Sequence, residues 1–398
     1  MSNSAAASRS HHVAVIGGGP VGLACAIALA QSGAAITLVA RRTPYADNRT
    51  TALLGNSIGF LDSLDVWPLC RDLSAALRVM RLVDDTGRLI RAPEIKFSSD
   101  EIGMEAFGYN LANRDLLAAL AARAEQLPNL RWVDDDARGV ISSDDAVIIE
   151  TSKSDSFTAA LIVGADGRHS LCREAAGITV KHRELGQSAL TLNVSHSRPH
   201  HGCSVEFHTA SGPCVFVPLP GNNSSVVWVV KPDEADRLKV LDDEQLGDAV
   251  ERQSHSIFGR MQVARERYIF PLVIEKPARL AARRIALVGE AAHVLPPIGA
   301  QGLNMGLRDA ADIANIVSAA HTNGEDVGSD AVLQRYERDR SADIFSRTFA
   351  VDMANRTLLS EFLPVQSLRA AGLHALNAFG PIRRMAMREG LSPSWRTN

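Results

Sequence analysis

The run Val13-Ala-Val-Ile16 leading into Gly17-x-Gly19-x-x-Gly22 constrains this chain more than any other segment. A short apolar strand enters the glycines, and Pro20 to Ser32 then carries helical spacing that Gly33 ends. Ile36 to Val39 reads as the next strand, so the N-terminus predicts a β-α-β unit and hence a parallel sheet. Gly17 allows the tight turn, Gly19 lets a pyrophosphate approach the backbone, and Gly22 allows close helix-sheet packing. Free N–H groups and the positive end of the helix dipole favour the anion, so a dinucleotide site is expected. The acid that normally closes the second strand is missing, because that stretch reads Val39-Ala40-Arg41-Arg42. Losing its charge-assisted hydrogen bond to a ribose costs about 1.5–3 kcal/mol if nothing replaces it. Arginines here also suit the 2′-phosphate of NADP, so this loop alone leaves FAD and NADP open.

Further along, Ser204 to His208, Val215 to Leu219 and Val226 to Val230 are β-rich runs separated by Gly-, Pro- and Asn-containing turns. They predict a mostly antiparallel sheet inserted into the first domain. Ile285 to Val288 and Gly302 to Ala320 return to an α/β pattern, and from Val332 onward everything reads as helix, punctuated at Pro364, Pro381 and Pro393. A net charge of -3 sets nucleic-acid binding aside. The cysteines (Cys25, Cys70, Cys172, Cys203, Cys214) form no CxxC pair and no metal spacing, which predicts reduced, mostly buried thiols and no metal site. The residues through His12 lack the apolar core of a secretory signal, and the longest apolar run, Leu23 to Ala30, is too short to span a bilayer. A cytoplasmic location is therefore expected.

Two distant segments choose between the cofactors. Leu161-Ile-Val-Gly-Ala-Asp166-Gly167, followed by Arg168 and Ser170, is a strand ending in a small-residue turn. Arg284-Ile-Ala-Leu-Val-Gly289-Glu290-Ala-Ala-His293 is another, and it leads into Pro296-Pro297-Ile-Gly299-Ala-Gln301-Gly302-Leu303-Asn304-Met-Gly306-Leu-Arg308-Asp309. Glycines before a helix leave N–H donors unpaired, and such donors suit the negative side of a reduced flavin ring. A simple NADP dehydrogenase has no use for all three segments in this order.

With these motifs the chain resembles the class A flavin monooxygenases, and among them the ubiquinone-biosynthesis hydroxylases. The resemblance runs from Val13 to the C-terminal helices. It includes Asp47-Asn-Arg49-Thr-Thr-Ala-Leu53, Asn113-Arg114-Asp-Leu-Leu117, the stretch from Gly212-Pro213 to Leu219-Pro220, and Val227-Trp228. It implies an α/β fold: a glutathione-reductase-type Rossmann FAD-binding domain, an inserted mostly antiparallel β-sheet substrate domain and a C-terminal helical segment. The expected limits are a flexible tail over 1–10, FAD-binding parts over 11–75, 101–184 and 273–330, substrate-domain parts over 76–100 and 185–272, and helices over 331–398.

The same resemblance implies FAD as cofactor, NAD(P)H as reductant, and hydroxylation of a lipophilic phenol with O2 through a flavin C4a-hydroperoxide. Gly17, Gly19 and Gly22 would serve the phosphates, Arg114 the pyrophosphate side, and Gly289 with Glu290 the ribityl chain. Pro297, Gln301, Gly302, Leu303 and Asn304 would border the ring, with Arg49 on the facing loop. Four positions depart from the family pattern: Ala40 for the ribose acid, Glu290 for Asp, Pro296 for His and Ala300 for Gly. Arg41 or Arg42 is the expected compensation for the first.

Several residues also have plainer readings. His293 reads as satisfying backbone groups beside its turn, and Asp166 either caps the following helix or touches cofactor. Arg308 and Asp309 read as a local helix ion pair. Between Leu363 and Leu391, Leu368, Leu373, Leu376, Phe379, Ile382 and Met385 mix with Arg369, Arg383, Arg384 and Arg388. That pattern fits peripheral contact with an anionic inner-membrane surface, a helix packed on the body, or a face for other ubiquinone-pathway proteins. The rival functions are a hydroxylase of another small aromatic compound and an inactive accessory protein of the same fold.

Overall fold

A computed structural model describes residues 12–42, 48–88, 91–153, 156–297, 299–360 and 362–391. The expected tail over 1–10, Asp47 and Pro393 lie outside the described residues. Val13–Ile16, Ile36–Val39 and Leu161–Gly164 are each four residues long and buried throughout, as expected of strands covered on both faces. They form the centre of a six-stranded sheet in the order 281–282, 285–287, 161–164, 13–16, 36–39, 130–133, parallel except for its first pair. The helix Pro20–Gln31 packs against the sheet through Leu23, Ile27 and Leu29, and Gly33 follows its end with φ of 90°. This is the Rossmann unit read from the glycine motif.

The second domain is a seven-stranded sheet in the order 261–277, 180–196, 223–230, 213–219, 203–208, 79–84, 95–98. One pair, Cys203–His208 with Val79–Asp84, is parallel, and the rest are antiparallel. Strand residues point to alternate faces. Leu190, Leu192, Val194, Phe216 and Trp228 bury one face under the helices Pro232–Lys239 and Asp243–Gln253. The other face carries Ala189, Val227, Val229, Phe270 and Leu272.

After the long helix Gln301–Thr322 come Asp330–Leu359, Leu363–Ala378 and Gly380–Leu391. The last two divide the expected amphipathic segment. Leu373, Leu376 and Met387 pack on Ile95, Phe97 and Phe107, whereas Leu368, Phe379, Ile382 and Met385 are exposed. Arg369 pairs with buried Asp84 and Arg383 with Glu101, which leaves Arg384 and Arg388 as exposed cations of that set. No described helix is long and apolar enough to cross a membrane.

Candidate functional site

Three distant turns meet because glycines let their backbones touch. A Cβ on Gly17 would lie 2.2 Å from the Ala165 carbonyl oxygen, and one on Gly22 would lie 2.0 Å from the Gly17 oxygen. Neither position admits a side chain without moving backbone. On the other side, a Cβ on Gly306 would lie 2.6 Å from the Val21 side chain and 3.1 Å from the Gly289 Cα. Gly19 differs, since a Cβ there would meet nothing within 4 Å. It precedes Pro20–Gln31 with extended backbone and makes no side-chain cap, so the first N–H groups of that helix have no capping side chain. Open space beside uncapped donors at the positive end of a helix suits a pyrophosphate.

A second open position lies at the start of Gln301–Thr322. Ala300 precedes it in the left-handed conformation, no side chain caps it, and a Cβ on Gly302 would meet nothing within 4 Å. Pro297, Gln301 and Leu303 are half-buried, and Gly302 is exposed. The Gln301 amide donates to the Gly299 carbonyl at 3.1 Å, while its Oε1 is buried without a hydrogen-bond partner among the described residues. Asn304 is buried and fully engaged by backbone. Its Nδ2 donates to Ala52 O at 2.8 Å and Ala300 O at 2.6 Å, and its Oδ1 accepts from Leu54 N at 2.9 Å. These bonds hold the strand Thr50–Leu54, and the exposed Arg49 before it, against the helix start.

Asn48 joins the remaining walls. Its Oδ1 accepts from Arg114 Nη1 at 3.1 Å, and its backbone oxygen accepts from Asn193 Nδ2 of the seven-stranded sheet at 2.8 Å. A second tie runs from Asn110, whose Nδ2 donates to Pro218 O at 2.9 Å. No role was read for Asn48, Asn110 or Asn193 in the sequence; Asn110 and Asn193, amides within the strands Gly108–Ala112 and Val180–His196, were the available signal. Arg41 pairs with Asp136, and Arg42 pairs with Glu125 while lying 4.5 Å from the Trp132 ring centroid. Ala40 packs beside Gly18, where a Cβ on Gly18 would lie 2.7 Å from its methyl.

Beneath the Gly289 turn lies a buried ionic cluster. Asp309 Oδ2 accepts from Gly289 N at 2.9 Å and lies 2.7 Å from His293 Nε2, and Oδ1 accepts from Arg340 Nε at 2.7 Å. Burial works to raise the Asp309 pKa, but His293, Arg340 and the Gly289 N–H outweigh it and hold the carboxyl below the ordinary aspartate range. The expected Arg308–Asp309 pair is therefore corrected: Arg308 Nε instead meets Asp343 Oδ2 at 3.0 Å. Neighbours in sequence do not face each other on a helix, so each reaches a different element. His293 is structural, but its ring nitrogen meets the Asp309 carboxylate at 2.7 Å rather than the backbone groups expected of it. Asp166 accepts from Ser170 Oγ at 2.6 Å and Cys172 N at 3.0 Å, which makes it a cap for Leu171–Ala175. Glu290 is exposed.

This donor set fits FAD: uncapped N–H groups for the pyrophosphate, an exposed carboxylate on the Gly289 turn for ribityl hydroxyls, and an uncapped helix start for the ring. The comparisons agree. The family described as FAD binding domain matches residues 10–346. Ubiquinone hydroxylase UbiL of Rhodospirillum rubrum is 33% identical over 386 residues, covering 95% of this chain and 89% of that protein. The 3-demethoxyubiquinol 3-hydroxylase of Escherichia coli is 28% identical, covering 95% of this chain and 98% of that one. Among solved structures, p-nitrophenol 4-monooxygenase PnpA from Pseudomonas putida DLL-E4 shares the fold with a TM-score of 0.81 at 22% identity, covering 97% of this chain and 98% of that one. The chain belongs to the FAD-binding-domain family of class A flavin monooxygenases, with FAD as cofactor and NAD(P)H as the family's reductant.

Proposed function

We propose that this enzyme hydroxylates the ring of a polyprenyl phenol in ubiquinone biosynthesis. The observation that carries the reading is the sheet face bearing Thr191, Val215, Val227, Tyr268 and Phe270. These residues share one face by strand register and are only half-buried. Asn193 lies on that face and bonds the Asn48 backbone, which turns the face toward the Arg49 loop and the start of Gln301–Thr322. An apolar wall opposite the ring-side helix suits a phenol with a hydrocarbon tail and keeps water from the reacting ring. The names of the two curated relatives point to the same substrate class.

Bound FAD supplies the activation of O2 that organic side chains cannot. The chain's own part is to bind and orient. Gly17, Gly19 and Gly22 hold the pyrophosphate with Arg114 alongside, while Gly289 and Glu290 take the ribityl chain. Pro297, Gln301, Gly302 and Leu303 border the ring, and Asn304 fixes the facing strand. Arg49 supplies a cation on that facing side, and the Gln301 carbonyl oxygen is an acceptor still to be used. Arg41 and Asp166 serve the cofactor indirectly, through the loops they tie.

For lipophilic substrate to arrive, Leu368, Phe379, Ile382 and Met385 with Arg384 and Arg388 rest on an anionic membrane surface. Sedimentation with vesicles containing anionic lipid tests this contact: binding that falls with salt is expected, and no binding contradicts it. The reaction is tested by supplying holoenzyme with NAD(P)H, O2 and a detergent-dispersed polyprenyl phenol. Product heavier by one oxygen atom taken from O2 is expected. Equal turnover of an unprenylated phenol would instead favour the small-aromatic hydroxylase.

A further inference from the structure

Arg340 is fully buried and belongs to none of the cofactor motifs. It stands on Asp330–Leu359, and its partners divide into two sets. Nε reaches Asp309 Oδ1 at 2.7 Å, and Nη1 reaches Asp343 Oδ2 at 2.7 Å and Asp312 Oδ2 at 3.1 Å. The first contact leads straight to the cofactor turn, because the other oxygen of Asp309 accepts from Gly289 N at 2.9 Å. Gly289 holds a left-handed φ of 61°, and a Cβ there would lie 3.3 Å from the side chain of Val21, within the first glycine motif. Nearby, Tyr336 of the same helix donates its hydroxyl to Leu287 O at 2.6 Å, pinning the strand that feeds the turn.

A buried guanidinium with planar, directed donors holds a carboxylate in one orientation. Without it, Asp309 Oδ1 loses its partner, and only His293 and the Gly289 N–H are left to offset burial and fix the carboxylate's orientation. We propose that Arg340 is a positioning residue: through Asp309 it sets the Gly289–Glu290 turn, and so sets the affinity for FAD from a helix that does not carry the cofactor motifs. Asp343 shares the same guanidinium but also meets Arg308 Nε at 3.0 Å and Arg347 Nε at 3.8 Å, contacts that join helix to helix. This inference rests on the FAD site described above.

The test is to strip FAD and titrate it back by flavin fluorescence, comparing the parent with Arg340→Met and Asp343→Asn, alongside the melting temperature of each apoprotein. Arg340→Met is expected to raise the FAD Kd on the order of tenfold or more. Asp343→Asn is expected to lower the melting temperature while leaving the Kd within about twofold of the parent, far short of a coupled effect. If Arg340→Met does not fold, Arg340→Lys replaces it, since an ammonium cannot span both carboxylates in that geometry, and the same rise is expected. A Kd for the Arg340 variant within about twofold of the parent, or an equal rise in Asp343→Asn, overturns the proposal. A parent that takes up no FAD defeats the cofactor site itself, a separate outcome visible before any variant is compared.

Discussion

The two turns that flank the cofactor are held by opposite means. The Gly17–Gly22 loop is fixed by contact: its glycines sit where a Cβ would lie 2.2 Å and 2.0 Å from backbone oxygens. The Gly289 turn is fixed by charge, through Asp309 and a buried arginine from a later helix. A loop held by contact needs only small residues at set spacing and tolerates no enlargement. A turn held by charge depends instead on distant partners. Both leave donors or a carboxylate open toward one ligand.

Breaking the charged side has the largest expected effect. Arg340→Met leaves Asp309 and Asp343 buried without their shared cation and should cost about 3–5 kcal/mol of folding stability, read by chemical denaturation. On the contact side, Gly22→Ala drives a methyl against the Gly17 oxygen, and overpacking of this kind costs up to about 3 kcal/mol. The same variant should lose FAD, which absorbance after gel filtration would show. Asn304→Ala leaves the Leu54 N–H and two carbonyls without their partner, for about 1–3 kcal/mol, and should loosen the Arg49 strand.

A pH series sharpens the same comparison. The folded-state pKa of Asp309 is depressed, so its contribution is complete above the ordinary aspartate value of 3.8 and is lost as the pH falls below it. The parent should therefore lose stability more steeply below that value than an Asp309→Asn variant, followed by denaturation at each pH. The smallest effect belongs to Glu290→Gln, which keeps a polar group on an exposed carboxylate's position. FAD affinity should fall by less than about tenfold, which is 1.4 kcal/mol. A larger fall would mean that the charge itself, and not the turn that presents it, dominates on this side.

What could be read from the sequence follows the same division. The strand, the helix and the glycine loop over Val13–Gly33 lie within one β-α unit, where spacing alone carries the geometry. The ring-side helix was also legible, because Gly302 to Ala320 carries an uninterrupted helical pattern. The ionic cluster was not: Arg340 lies 31 residues from Asp309 and His293 lies 16 away, and nothing in local spacing links them. Adjacency made Arg308 and Asp309 look like a pair when their side chains diverge. The two 17-residue strands, Val180–His196 and Met261–Pro277, were hidden too. Their outer halves carry charged residues such as Lys181, Arg183 and Glu184, and register shifts break the alternation by which strands are recognised. At the C-terminus, charge pattern alone could not show that Arg369 and Arg383 turn inward to Asp84 and Glu101.

Both turns are expected to hold one FAD although Ala40 and Glu290 depart from the family pattern. The visible absorption spectrum of the purified protein, with the released cofactor identified by chromatography, tests it most directly. Oxidised-flavin bands and FAD as the released molecule are expected. A colourless protein that stays colourless after incubation with excess FAD would contradict it.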